Sequence, residues 1–306
     1  MSRGKVCVIG LTGQSAFLKT DHFPRPGETV SCASLFFEPG GKGHNQAVAC
    51  ARMGAETVFV GAVGEDANAE ACRSALEREG IAACLIPKKE PTAFASITTD
   101  GTGENTVEVY TGAAGLLAPE DLAGNEIRKR VEDCAWFLLQ NELSLECLEA
   151  SLRLAASVGG RVILNPAPAE NLTEAMLEQC DIITPNYGEA AALAGWPADR
   201  RPADEKLCAC FSKRRNGDTL ITLGGEGVWL IRNGVCRHMG AYSHGPVVDT
   251  TGAGDTFNGV LAAILAGGGT LEEAAGAAVI AAGISVTRRG AAGSIPTGTE
   301  VRNEMK

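Results

Sequence analysis

Short runs of consecutive apolar residues recur along this chain, and between them apolar positions spread out to helical spacing. Residues 5–11, 57–63, 136–139, 161–164, 182–184 and 219–223 each hold a short, mostly apolar run. That is the pattern of strands buried on both faces. Stretches at 45–53, 67–78, 145–158, 186–194 and 203–214 are amphipathic or alanine-rich and predict helices. Strand–helix alternation of this kind predicts βαβ units. The expected fold class is α/β: a doubly wound, mostly parallel sheet flanked by helices.

Two regions break the alternation. Residues 21–37 and 92–110 hold short strand-like runs with no helix between them. Residues 94–98 and 107–110 flank Asp100-Gly101-Thr102-Gly103, a hairpin signal. These pieces predict a small β lid, with strands within about 17–37 and 92–112. Residues 228–231 and 235–238 form a second expected hairpin around Asn233-Gly234. Two small-residue helices follow at about 253–266 and 271–286, separated by Gly267-Gly268-Gly269. No internal repeat, low-complexity linker or charge block divides the chain, so residues 1–306 are expected to form a single domain.

Composition narrows the function classes. The formal net charge is −10, which disfavours broad nucleic-acid or anionic-membrane binding, both of which use basic surface. A local basic pocket for a phosphorylated ligand is compatible with it. The longest uncharged run, 256–271, contains Asn258 and several glycines and is shorter than the ~20 apolar residues of a membrane span. The eleven cysteines form no framework, and the first residues run into a strand without a signal-peptide pattern. A reducing cytoplasm is expected. Cys208-Ala-Cys210 has no second ligand pair, so no zinc site is expected.

The chemistry concentrates in four motifs. Asp249-Thr250-Thr251-Gly252-Ala253-Gly254-Asp255-Thr256-Phe257 is a glycine turn feeding an apolar helix. Such a turn aims backbone N–H groups at one point and makes an anion hole. Asp255 inside it repels an anion, which makes sense if the carboxylate takes a proton from a nucleophile attacking a bound phosphoryl group. The alternative is a helix cap. Glu38-Pro39-Gly40-Gly41-Lys42-Gly43-His44-Asn45-Gln46-Ala47 is a glycine loop opening a helix. It fits neither a Walker A loop nor a dinucleotide fingerprint, and alone reads equally as a turn with a solvated lysine. Asn186-Tyr187-Gly188-Glu189 follows a strand and suits metal-bound water near phosphates, or a helix cap. Thr222-Leu223-Gly224-Gly225-Glu226-Gly227 offers a hydroxyl and open backbone to a phosphate, or forms a hairpin turn.

Together these motifs resemble the ribokinase-like (PfkB) family of sugar and nucleoside kinases, across nearly the whole chain. Gly-Gly-Lys-Gly-x-Asn-x-Ala stands at 40–47, Asp-Thr-Thr-Gly-Ala-Gly-Asp-Thr-Phe at 249–257, Asn-x-x-Glu at 186–189 and Thr-x-Gly at 222–224. Phe23-Pro24-x-Pro26-Gly27-Glu28-Thr29-Val30, Asn165-Pro166-Ala167-Pro168-Ala169 and Val286-Thr287-Arg288-Arg289-Gly290-Ala291 look most like the ribokinase branch.

The resemblance implies an ATP-dependent transfer of the γ-phosphoryl group to a primary hydroxyl of ribose or a related small sugar. It implies Asp255 as general base and the amides of Gly252, Ala253 and Gly254 as the anion hole. Asn186, Thr222, Gly224 and Gly227 would hold ATP, and Glu189 would position Mg²⁺ through water. Gly41, Lys42, Asn45 and Glu142 would contact the sugar. Asp249, Thr251, Ser285, Arg288, Gly290 and Ser294 match a monovalent-cation site, expected to take K⁺. A homodimer through the lid is also implied. The alternatives are a nucleoside kinase of the same fold, or a non-catalytic sugar or nucleotide sensor; the retained Asp255 speaks against the sensor.

The departures concern the acceptor. The family's first strand ends Gly-Ser-x-Asn-x-Asp, and its aspartate grips two ring hydroxyls. Here the stretch is Gly10-Leu11-Thr12-Gly13-Gln14-Ser15, with Gly13 for the asparagine and Ser15 for the aspartate. Serine forms no charge-assisted bond. The lid's Gly-Ala-Asn reads Gly112-Ala113-Ala114. The transfer machinery is expected intact and sugar recognition altered, with Gln14 or His44 as replacement contacts.

Overall fold

The computed structural model describes residues 4–196, 204–214 and 217–305. The expected helix start at Ala203 and the first three residues lie outside them. The strands are β1 (Lys5–Ile9), β2 (Gly13–Lys19), β3 (Ser34–Gly40), β4 (Glu56–Val63), β5 (Ala82–Pro87), β6 (Ala93–Thr99) and β7 (Asn105–Tyr110). They continue as β8 (Trp136–Gln140), β9 (Arg161–Asn165), β10 (Ile182–Ile183), β11 (Asp218–Thr222), β12 (Val228–Arg232) and β13 (Val235–Met239). Nine form one sheet, ordered β13-β12-β11-β10-β9-β8-β1-β4-β5. It is parallel from β5 to β11, with β12 and β13 antiparallel at one edge.

The strands read as unbroken apolar runs because both faces are covered. Cys7 and Ile9 of β1 enter one core, with Leu148 and Leu152 of the helix Leu145–Ser157. Val6 and Val8 enter the other, with Ala47 and Val48 of the helix Lys42–Arg52 and Val260 of the helix Ala253–Ala266. These last two helices touch at Gly259, where a methyl group would lie 2.4 Å from both the Ala49 Cβ and the Gln46 carbonyl oxygen. The helix Leu271–Ser285 presses buried alanines 274, 275, 277, 278 and 281 into the same layer.

The other four strands form a separate sheet, β3-β2-β6-β7. β6 and β7 lie within the expected 92–112, while β2 and β3 run beyond the expected 17–37 at either end. β2 begins at Gly13, only three residues beyond β1, and no strand occupies residues 20–33. Gly13 is required there, since a methyl would lie 2.3 Å from the Ala93 carbonyl oxygen. β5 was not expected from the sequence. It is a half-buried edge strand ending in Pro87, and its apolar run, residues 81–86, includes two alanines that carry no β preference. The short helices Pro119–Leu122, Asn125–Val131, Glu174–Glu178 and Gly298–Glu304 were not expected, being too brief to show a period.

From β1 the chain builds the sheet outward through β4 and β5, then returns beside β1 at β8 and builds the other way. The crevice at the strands' carboxyl ends opens where that order reverses, the usual ligand position in an open α/β sheet.

Candidate active site

The cleft at this reversal has a volume of about 330 Å³. Its near wall begins at Gly10, just past β1. A methyl on Gly43 would lie 2.8 Å from the Gly10 Cα, so two bare backbones let the helix Lys42–Arg52 start against the strand end. Gly41 caps that helix with φ 98°, a left-handed conformation suited to glycine. The Lys42 ammonium then meets Glu142 Oε1 at 2.8 Å, while its backbone N–H donates to Glu142 Oε2 at 3.1 Å. Burial pulls the lysine pKa down, but Glu142, Asp255 and Glu189 outweigh it and hold the ammonium above its ordinary value.

Asp255 occupies the first turn of the helix Ala253–Ala266, which Gly252 caps in a left-handed conformation at φ 76°. Its carboxylate does not cap the helix. Asn45 Nδ2 donates to Oδ2 at 2.9 Å and Gln46 Nε2 to Oδ1 at 3.0 Å. Gln46 is itself oriented, since Gln140 Nε2 donates to its Oε1 at 2.7 Å. Gln46 Nε2 also reaches Asn165 Oδ1 at 3.1 Å, and Asn165 Nδ2 donates to the Thr184 carbonyl at 3.2 Å. Thr184 Oγ1 donates to Asn258 Oδ1, whose amide returns to the Gly254 carbonyl at 2.8 Å. Burial raises the Asp255 pKa to about 6, against the opposing pull of Lys42 and the two amides. Asn45 Oδ1 and Gln140 Oε1 are buried without a hydrogen-bond partner.

The turn leaves two of its three expected donors open. The Ala253 N–H is directed to the Thr250 carbonyl at 3.3 Å, while Gly252 and Gly254 line the cleft without such a backbone bond. Asn186 and Glu189 also line it, and they do cap a helix. Glu189 N–H donates to Asn186 Oδ1 at 2.9 Å and Asn186 N–H to Glu189 Oε2 at 2.8 Å. Burial raises the Glu189 pKa. Thr222 lines the same end, its N–H held by the Pro185 carbonyl at 2.9 Å. Gly224 and Gly227 do not line the cleft; they form the turn after β11.

Of the expected cation residues, Thr251 alone reaches the cleft. Asp249 takes the Thr251 N–H at 2.9 Å and the Gly290 N–H at 3.1 Å. The Ser285 hydroxyl donates to the Ala282 carbonyl, the Ser294 hydroxyl to the Ala291 carbonyl, and the Arg288 guanidinium turns away to Glu300.

On the acceptor side, Gly41, Lys42, Asn45, Glu142, Gln14 and Ser15 line the cleft. His44 does not. It is buried behind the helix start with Nδ1 2.9 Å from Thr12 Oγ1, and burial lowers its pKa to about 4. Ala114 does not line the cleft either: it sits at zero exposure in a short 3₁₀ turn, packed with Leu11 and with Ala93 of the lid strand β6. The sequence did not single out Gln46, Gln140, Thr184 or Asn258. Gln46 stood beside Asn45 in a quoted motif, but no local pattern says that Gln140 meets it 94 residues later.

The description pfkB family carbohydrate kinase matches residues 3–298. The chain belongs to that family. It is 35% identical over 300 residues to the ribokinase of Haemophilus influenzae, covering 97% of each chain. The structure of ribokinase from Thermotoga maritima aligns with a TM-score of 0.88 and 34% identity, over 99% of both chains. That of Arabidopsis thaliana ribokinase complexed with ribose and ATP aligns with a TM-score of 0.87 and 28% identity, over 100% of this chain and 99% of that one. This pfkB carbohydrate kinase is thus a phosphotransferase with an alcohol acceptor and ATP as donor. Among its described residues, no helix is long and apolar enough to cross a membrane.

Proposed function

We propose that this kinase transfers the γ-phosphoryl group of ATP to a primary hydroxyl of ribose or a closely related small sugar. The observation that carries the reading is the Asp255 carboxylate, buried beside an open glycine turn and aimed by two amide donors. The sugar hydroxyl meets Asp255, which accepts its proton as the oxygen attacks phosphorus. The Gly252 and Gly254 amides, with Ala253 between them shaping the turn, stabilise charge on the transferring group. Lys42, Gly41, Glu142, Ser15 and Asn45 face the sugar. Asn186, Thr222 and the turn carrying Gly224 and Gly227 face the nucleotide.

Glu189 keeps one carboxylate oxygen beyond its capping bond, which suits a water ligand of Mg²⁺, the ion that would neutralise phosphate charge. The carboxylate and carbonyl oxygens at Asp249, Thr251, Ser285, Arg288, Gly290 and Ser294 would supply a hard-oxygen donor set of the kind K⁺ takes, which would steady the turn from behind. Exchanging Na⁺ for K⁺ should then raise activity.

The chain is read as one kinase unit, its lid excluding water from the cleft. Exposed Leu35, Phe36 and Phe37 on β3 and Tyr110 on β7 support pairing of two lids in a homodimer. Eleven free cysteines support a reducing, cytoplasmic setting. The test is ADP release with Mg²⁺, K⁺ and ATP against pentoses and hexoses, with Asp255→Asn in parallel. One sugar raising ADP far above the mutant's background establishes the reading. A flat panel with ATP bound tightly overturns it.

A further inference from the structure

Residues 290–293 form a turn whose amides are divided between two carboxylates. Gly290 N–H goes to Asp249, just ahead of the anion-hole turn. Ala291 N–H donates to Glu38 Oε2 at 3.0 Å, and Gly293 N–H donates to Glu38 Oε1. Glu38 belongs to β3 of the lid. The turn closes around its carboxylate, since a methyl on Gly290 would lie 2.9 Å from Oε2 and one on Gly293 2.8 Å from Oε1. Backbone amides converging in this way make an anion nest, and this chain fills it with its own side chain. Both bonds are charge-assisted.

The same turn touches both halves of the site. Ala291 packs with Phe17 and Ile97 of the lid and lines the cleft. On its other side, a methyl on Gly252 would lie 3.1 Å from the Ala291 Cα. Glu38 is also the register partner of Ser15, so the strand pair that holds the latch carries part of the acceptor wall. Asn186 and Thr222, by contrast, bridge each other at the end of the large sheet and take no part in this strand pair.

Resting on the sugar-kinase reading above, we infer that Glu38 is a positioning residue. Its carboxylate docks the lid on residues 290–293 and so fixes the acceptor wall against the anion-hole turn. Without it the acceptor is held loosely while the nucleotide is held as before.

The test compares wild type, Glu38→Ala and Glu38→Gln by steady-state kinetics and by peptide-level hydrogen exchange. In Glu38→Ala the sugar KM should rise about tenfold and kcat fall severalfold, in line with the cost of small misplacements. The ATP KM should stay within about twofold of wild type. Glu38→Gln keeps the size but offers one acceptor oxygen for two donors, so it should show the same split at smaller amplitude, even if the alanine variant folds poorly. Exchange should quicken in β2, β3 and residues 290–294, and not in β8. Unchanged sugar kinetics, an ATP KM that rises in step with the sugar KM, or undisturbed exchange in the lid would each overturn the assignment. The exchange arm needs no turnover. If the wild type phosphorylates no sugar, the functional reading fails while exchange still judges the latch.

Discussion

The floor and the roof of the cleft are built on opposite terms. The floor is a polar network drawn from several strands and two helices: Asp255 with Asn45 and Gln46, Gln46 with Gln140 and Asn165, Lys42 with Glu142. The roof strands β6 and β7 present Ala93, Phe94, Ala95, Ile97, Val107 and Val109, with Gln14 and Ser15 of β2 as its polar groups. An interlocked buried network resists piecemeal change, because removing one member strands its partners. An apolar roof that is partly open to solvent tolerates substitution at small cost. The fold therefore keeps the transfer chemistry and the Lys42–Glu142 side of the acceptor contacts on the floor, and leaves the rest of the acceptor wall to the roof.

The contrast breaks most sharply at Asp255. Asp255→Asn should lower kcat by about 10²–10⁴, the span of a lost general base, while calorimetric ATP binding persists. A variant retaining half the wild-type rate would remove Asp255 from that role. The next effect is in pH. With a pKa near 6, the base is protonated in acid, so kcat/KM should fall about tenfold per unit below that value and level off above it. Stability should run the other way. The folded-state pKa lies above the unfolded 3.8, so folding favours the protonated form. That stability is present below the unfolded pKa and lost as pH rises through about 6. Asp255→Asn should accordingly melt higher than wild type at pH 8 while being far less active. A lower melting temperature would mean that the Asn45 and Gln46 bonds outweigh burial.

A smaller effect should follow at Gln46. Gln46→Leu removes one of the two donors and leaves the Gln140 amide with only the longer bond to the Leu138 carbonyl. Since that bond lowers the Asp255 pKa, its loss should move the acidic limb of the profile to higher pH. It should also cost about tenfold in kcat, on the order of one hydrogen bond to a charged group. A limb that stays in place would show that Asn45 alone sets the carboxylate.

The same division explains what the sequence could say. The large sheet was legible because strands buried on both faces leave unbroken apolar runs, and helices such as Leu271–Ser285 begin at a clear capping box, Thr270 with Glu273. The lid was legible in part: the Asp100-Gly101-Thr102-Gly103 turn marked the β6–β7 hairpin, while β2 follows β1 too closely to read as a new strand. The floor's motifs stood out because glycine turns and their flanking Lys42, Asn45 and Asp255 are local in sequence. The network behind them was hidden, since Gln46 meets Asp255 across 209 positions and Glu38 meets Ala291 across 253. His44 looked available for the sugar because it sits in a motif; its helical position instead turns it inward to Thr12.

The mildest change sharpens the comparison from the roof. Ser15 is buried at the cleft wall, and a methyl built on Gly40 would come 3.1 Å from its Oγ. Ser15→Asp places a carboxylate where the present hydroxyl makes at most a neutral bond, and charge-assisted bonds are about twice as strong. If this one contact was lost from an otherwise unchanged pocket, the ribose KM should drop severalfold, approaching the tenfold that about 1.4 kcal/mol supplies. The kcat should move little, because Asp255 and its donors lie on the floor and keep their geometry. A KM that fails to fall would mean the apolar wall of Ala95, Ile97 and Val109 shapes the pocket for a different sugar. A fall in kcat as large as the gain in KM would instead show that roof and floor are not separable, since a second carboxylate at the wall would then be disturbing the titration of Asp255 itself.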